Sequence, residues 1–520
     1  MNKLIFFFFI SFTSLSQIED VSITMYDWNQ QVNKIPEVMK FGKNIDGDYF
    51  IWKREYNIHL DYQNFIELRD ENMKVIKSIN IDGLSIFKNR TLLGKVVMNN
   101  SLIFFSKKAT EKENIYTVSF QSINLSTLEE SKVTDLFTGS LLKPYGEGYV
   151  AYTLPYARVA ASIEIHASPD GKSILIAARQ EYKRKENEII SFYVLDENMN
   201  ISWAKENFEI SHEDRYYKTL SFTINNKGDA FMLGGLNNQE KPDLDLYRFS
   251  KDEEVIQKKI KYFKKPLAYQ LQLTVNQKGV LVLGGCLPSE ISPNKTIGTF
   301  CHLFNSNTLD IINETSNKFE TEVYLYGLNP KFKNVLIEKK TGELYGYSNL
   351  QIDSIVFIKD EIYIISRRTV LESTNFTGPG YTDYSIFISK YSKDGEFIFN
   401  TKIPYKMTKG ASPLQKSYAF MVTKKGLMFV FPDDLENLDK DFTKEALHVY
   451  LHDCFSTCTI GVNGEQKREL LYSFEENFRK RRQILDLEVC SVTNGNNDEL
   501  LMLVHLGKTV KIKYFLVKEK

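Results

Sequence analysis

Ser168-Pro169-Asp170-Gly171-Lys172-Ser173-Ile174-Leu175-Ile176 is the stretch from which the fold can be read. A polar turn closes on Gly171, and an apolar strand follows at once. Further on, Phe192-Tyr193-Val194-Leu195 runs into a second turn, Asp196-Glu197-Asn198-Met199, and then into a more polar segment, Ser202-Trp203-Ala204-Lys205. Gly and Asn supply the positive φ that tight hairpins require. Two hairpins in one unit make a four-stranded antiparallel sheet.

The same unit recurs along the chain. First turns fall at Asn44-Ile45-Asp46-Gly47, Asn99-Asn100, Asn225-Asn226-Lys227-Gly228, Asn276-Gln277-Lys278-Gly279, Lys359-Asp360, Thr423-Lys424-Lys425-Gly426 and Asn494-Gly495-Asn496-Asn497. Each leads into an apolar strand such as Val280-Leu281-Val282-Leu283 or Leu427-Met428-Phe429-Val430. Second turns follow about 24 to 37 residues later, and Asp70-Glu71-Asn72-Met73 repeats the 196–199 tetrapeptide. The period is about 64 residues, the size of a four-stranded propeller blade. Continuously apolar strands fit sheets covered on both faces, and the polar last strand fits an outer rim.

The expected fold is therefore all-β, a β-propeller of eight four-stranded blades, with seven blades or two tandem β domains as alternatives. The eighth unit runs from Leu500 to Leu516 and stops without its outer strand. The spare segment Asp20-Val21-Ser22-Ile23-Thr24-Met25-Tyr26 is expected to supply it and close the ring, removing an open edge. The domain plan is a signal peptide over 1–16 and one propeller over 17–520.

That signal is read from Lys3, the apolar run Leu4 to Phe12, and Ser14-Leu15-Ser16 as the cleavage site. It predicts export to the periplasm or the outside, with no transmembrane segment in the mature chain. The 520 residues hold 66 basic and 66 acidic side chains. That balance argues against a nucleic-acid partner held by phosphate attraction. Hydrophobic residues at 42% and aromatics at 13% exclude wholesale disorder. Cys286, Cys301, Cys454, Cys458 and Cys490 are too few for a disulfide scaffold and are read as buried thiols.

No GxSxG, HExxH, P-loop, Rossmann or EF-hand motif is present, so no catalytic residue, metal ligand or cofactor is assigned. His448 and His452 are not read as a chelating pair. The acidic run Asp433 to Asp441 has no ordered ligand spacing and is read as a solvated loop rather than a Ca²⁺ site. The basic clusters 258–265 and 479–482 are read as solvated surface. The Tyr-rich stretch Tyr145 to Arg158 is read as strand packing. The binding candidates are Phe376, Tyr381, Asp383 and Tyr384, in the insertion Glu372 to Tyr384 around Gly378-Pro379-Gly380. Aromatics offered from a loop on a rigid scaffold suit a protein or glycan ligand. The preferred function is thus an exported, non-enzymatic binding propeller. The alternative is a polysaccharide hydrolase or lyase with its acid and base in the central channel.

The Ser168 to Lys172 turn resembles the repeat of TolB-type and WD40-like propellers. Phe192-Tyr193-Val194-Leu195-Asp196, Trp203-Ala204-Lys205-Glu206, Tyr384 to Ser389 with Asp394-Gly395, and Ile403-Pro404 fall in an order similar to secreted propeller-like proteins of Bacteroidetes-type bacteria. Phe399 stands where those proteins carry Trp. The resemblance implies export and fold but no activity.

Overall fold

Turn chemistry sets the hairpins. In the computed structural model, Asp196 Oδ1 accepts from the Asn198 and Asn200 backbone N–H groups, each at 2.9 Å. Asp70 makes the same pair of bonds to Asn72 and Lys74, and Asn44, Asn225 and Asn276 repeat them in first turns. One side-chain oxygen thereby serves two donors that neither strand can reach. Met73 and Met199 close their turns at φ 62° and 66°, a left-handed conformation rare for such a side chain.

The structure describes residues 21–27, 35–56, 62–110, 115–140, 163–180, 188–210, 217–236, 243–261, 270–289, 295–325, 350–374, 378–409, 418–438, 454–473, 487–491, 499–506 and 511–519. Strand β1 (Val21–Asp27) comes first in sequence. The first sheet then holds β2 (Ile35–Lys43), β3 (Tyr49–Tyr56), β4 (Tyr62–Arg69) and β5 (Val75–Asn80). The second holds β6 (Thr91–Met98), β7 (Ser101–Thr110), β8 (Ile115–Asn124) and β9 (Thr134–Ser140). The third holds β10 (Ile163–Ala167), β11 (Ile174–Gln180), β12 (Glu188–Leu195) and β13 (Ile201–Ile210). The fourth holds β14 (Tyr217–Ile224), β15 (Ala230–Leu236), β16 (Asp243–Phe249) and β17 (Ile256–Lys261). The fifth holds β18 (Leu271–Val275), β19 (Val280–Pro288), β20 (Thr296–Asn305) and β21 (Ile311–Lys318), and a one-turn helix α1 (Thr321–Leu325) follows. The sixth holds β22 (Leu350–Ile358), β23 (Glu361–Thr374), β24 (Gly378–Tyr391) and β25 (Phe397–Ile403), with β26 (Met407–Lys409) added on β24. The seventh holds β27 (Ala419–Thr423), β28 (Gly426–Asp433), β29 (Cys454–Gly461) and β30 (Gln466–Ser473). The eighth runs β31 (Leu487–Ser491), β32 (Glu499–Leu506), β33 (Lys511–Glu519) and then β1.

The eight sheets are all antiparallel, and each is a propeller blade. Cores form between neighbouring blades rather than within one. Trp52 of the first meets Phe104 of the second edge-on at 5.1 Å, and Phe192 of the third meets Phe222 of the fourth at 5.9 Å. The other successive pairs up to the sixth and seventh share apolar clusters of the same kind. Middle strands are largely buried, β28 along its whole length, while outer β5 and β21 are mostly exposed. This bears out the expected gradient from apolar interior to polar rim.

Closure also follows the expectation. β1 pairs antiparallel with β33 from Val21↔Glu519 to Asp27↔Lys513. The eighth blade meets the first through Lys43 Nζ and Glu499 Oε1 at 2.7 Å, with Tyr49 OH donating to the same oxygen at 3.1 Å. It meets the seventh through the Lys424 N–H, which donates to the Glu519 carboxylate. The expected leader over 1–16 lies outside the described residues. Among those residues no helix is long and apolar enough to cross a membrane.

Candidate functional site

The two faces of the ring differ. In the first seven blades the connections from first to second strand, and from third to fourth, emerge on one face, most of them as tight turns. These turns bond to one another across blades. Asp170 N–H donates to Asn226 Oδ1 at 3.0 Å, and Asn226 Nδ2 donates to the Gln277 carbonyl at 3.1 Å. Gln277 Nε2 then donates to the Pro169 carbonyl at 2.6 Å, joining the third blade directly to the fifth. Blades two apart can touch only where their inner turns lean over the central axis. The turn face is therefore drawn together by a polar belt, continued by Lys278 to Asp360 at 2.5 Å.

The sixth blade rises from the opposite face. Its β22 pairs with β23 only as far as Leu350↔Arg368, but β23 and β24 go on together from Thr369↔Asp383 to Thr374↔Gly378. β26 widens this arm by pairing Met407, Thr408 and Lys409 with Asp383, Thr382 and Tyr381. A bulge sits at its root, between Arg367 and Thr369, with Ser385 at φ 103°. A bulge there bends the ribbon and re-aims what lies beyond it.

Under the bulge lies a buried charged cluster. Arg367 reaches Asp353 at 2.9 Å through Nε and Asp383 at 3.0 Å through Nη1. Thr369 Oγ1 donates to Asp383 at 2.7 Å, and Tyr418, from the start of the next blade, donates to Asp353 at 2.6 Å. With its amide oxygen turned to the guanidinium, Gln351 accepts from Arg367 at 2.8 Å. Burial works against the Arg367 charge, but the Asp353 and Asp383 carboxylates outweigh it and raise its pKa. Burial, with the Asp353 charge adding to it, pushes the Tyr418 phenol well above its usual value. The phenol therefore stays a hydrogen-bond donor. The arrangement ties arm, blade and neighbouring blade together.

The sequence candidates divide accordingly. Asp383 belongs to strand β24, is 1% exposed and is engaged by Arg367 and Thr369. Tyr384 is half-buried, with the Arg368 and Lys406 cations each 5.1 Å from its ring centre. Tyr381 lies in β24 opposite Leu371 and Lys409. Phe376 lies outside the described residues. The expected loop is thus a ribbon: Gly378 and Gly380 sit opposite Thr374 and Glu372, and the ladder overrides their turn preference. Sequence reasoning missed Asp353, Arg367 and Tyr418. Asp353 is the one charged residue in the stretch Ile352 to Ile358, and that is the available signal.

Other polar candidates are also drawn inward. Asp433 was read as solvated, yet it is 2% exposed and accepts from Asn437 Nδ2 at 2.8 Å. Asp434 caps a short 3-10 helix, Leu435–Asn437. Glu164 is held by Arg179 at 2.5 Å and lies 3.3 Å from His166. Lys53 bridges Glu55 at 2.5 Å and Glu67 at 2.7 Å. Cys286, Cys301, Cys454 and Cys458 are buried, and burial pushes the Cys301 and Cys458 thiols up to about 12. Among the described residues no three His, Cys, Asp or Glu side chains converge as metal ligands. His448, His452, the Tyr145–Arg158 stretch and the 479–482 cluster lie outside the described residues.

No protein-family model and no curated protein matches the chain. Solved structures do. The β-propeller domain of the Trilobed protease from Pyrococcus furiosus is 11% identical, with TM-score 0.37, over 86% of this chain and 98% of that one. Acylaminoacyl peptidase of Pyrococcus horikoshii is 10% identical, with TM-score 0.38, over 91% of this chain and 57% of that one. Prolyl oligopeptidase B from Galerina marginata, bound to a 35mer substrate, is 7% identical, with TM-score 0.41, over 91% and 56%. The chain spans a little over half the length of these last two.

The expected function is corrected at this point. The preferred expectation is an exported, non-enzymatic binding propeller, and the similar solved structures are a protease's propeller and two peptidases. The alternative, acid and base groups for polysaccharide cleavage, gains nothing from Asp353, Asp383, Glu55, Glu67 and Glu164, which are held by Arg, Lys, Tyr and Thr partners.

Proposed function

We propose that the chain is the propeller part of a peptide-hydrolysing system and receives polypeptide on the face from which the β23–β24 arm rises. The observation that carries this is the difference between the faces. One is drawn together by the turn belt through Asn226 and Gln277. The other carries the β23–β24 arm, so a polymer meets the ring from that side. The arm is braced at its root by Arg367, which suits a ribbon that must hold position against a chain. The leader read at Lys3 to Ser16 supports an exported location, to be checked by fractionating cells for the mature chain.

The test uses carboxymethylated casein as an unfolded polypeptide and hydrogen exchange as the readout. Casein is expected to protect β23, β24 and β26 and to leave the Asn226 and Gln277 turns unchanged. Protection of the turn face, or of neither face, would reject the proposal. Extracts of cells lacking the chain are expected to hydrolyse peptides more slowly, with recovery on adding it back.

A further inference from the structure

The eighth blade is assembled unlike the other seven. Elsewhere all four strands come from one continuous stretch. Here the outer strand comes from the other end of the sequence, and β33 is the strand with which it pairs. An outer strand held along one edge has half the ladder bonds of an inner one, so it is the first to open.

What happens to β33 when β1 leaves depends on its other ties. Lys518 of β33 lies 3.7 Å from Glu499 and 5.0 Å from the centre of the Tyr49 ring, which fastens it toward the first blade. Glu519 accepts from the Lys424 N–H, which fastens it to the seventh. β32 holds its far edge from Glu499↔Lys518 to Leu506↔Lys511. None of these contacts involves β1. The junction between first and eighth blades, Lys43 with Glu499, is equally independent of it.

We propose that β33 is a preformed strand-acceptor edge, and that β1 is its exchangeable occupant. The ligand is an extended segment with the sequence Val21-Ser22-Ile23-Thr24-Met25-Tyr26-Asp27, added antiparallel in the register Val21↔Glu519. With Leu516 and Val517 buried in β33, a vacated edge is apolar as well as rich in unpaired N–H and C=O groups. Val517 lies opposite Ile23 and Leu516 opposite Thr24, so a scrambled order sets different residues against them.

The test uses a chain beginning at residue 28 and a fluorescent peptide spanning 20–27. The shortened chain is expected to bind one peptide, to release it to unlabelled peptide, and to reject a scrambled version. A folded shortened chain that does not bind would overturn the proposal. If the shortened chain does not fold, the full chain with Thr24→Pro decides. Its hydrogen exchange should rise at least tenfold in β1 and β33 and stay unchanged in the other sheets. An equal rise in all eight sheets, or none in β33, would overturn the proposal.

Discussion

A single carboxylate oxygen at Asp196 answers for two backbone donors, so its removal should be felt although the residue is half-buried. Asp196→Ala is expected to cost about 1–2 kcal/mol, and Asp196→Asn much less, because the amide oxygen keeps both bonds. Urea midpoints at constant slope would measure it. His302 gives a pH dependence. Burial lowers its pKa, with Glu314 opposing, so the folded state prefers neutral imidazole. The unfolded chain then takes up the proton first. The contribution to stability is full above about pH 6.5 and is lost as pH falls through the lowered value. Denaturation curves from pH 7 to 5 should show that decline, and His302→Phe should flatten it. The buried thiols run the opposite way: their contribution is present below about pH 8.5 and fades toward 12.

At the scale of elements, the arm and its root are the departure from a plain repeat. Asx turns are local, so Asp70, Asp196 and Asn225 could be recognised from a few neighbours. The Arg367 cluster joins Asp353 in β22, Asp383 in β24 and Tyr418 just before β27, and no spacing rule links those positions. The apparent loop at Gly378-Pro379-Gly380 failed for a related reason: its pairing with β23 and the addition of β26 are not written in turn residues. Arg367→Met should destabilise by about 3–5 kcal/mol by leaving two carboxylates buried without their cation. Adding Asp353→Asn and Asp383→Asn should recover a good part of that loss, as thermal melts of the single and triple variants would show.

For the whole molecule, stability resides in the interfaces between blades, and the seam that closes the ring rests on a polar knot. Glu499 gathers Lys43, Lys518 and the Tyr49 hydroxyl at the seam between last and first blades. Glu499→Gln keeps the shape and removes the charge. It is expected to lower stability by about 1 kcal/mol and to speed proteolysis at the seam more than at other interfaces. Limited proteolysis with mass mapping would locate the first cuts.

The amino-acid sequence by itself determined the blade: turn residues, apolar runs and their period of about 64 residues are local features, and local sterics and hydrogen bonding decide them. It also implied the closing strand, because one unit was a strand short. Only the tertiary structure decided that the turns of the third, fourth and fifth blades knit one face together, that Asp383 is held inside rather than offered, and that the sixth blade carries an arm. Those outcomes depend on which side chains meet across blades, far apart in sequence, as Asp170 and Asn226 are at 56 residues and Gln277 and Pro169 at 108. Contacts of that separation arise from packing geometry and leave no periodic mark in the chain.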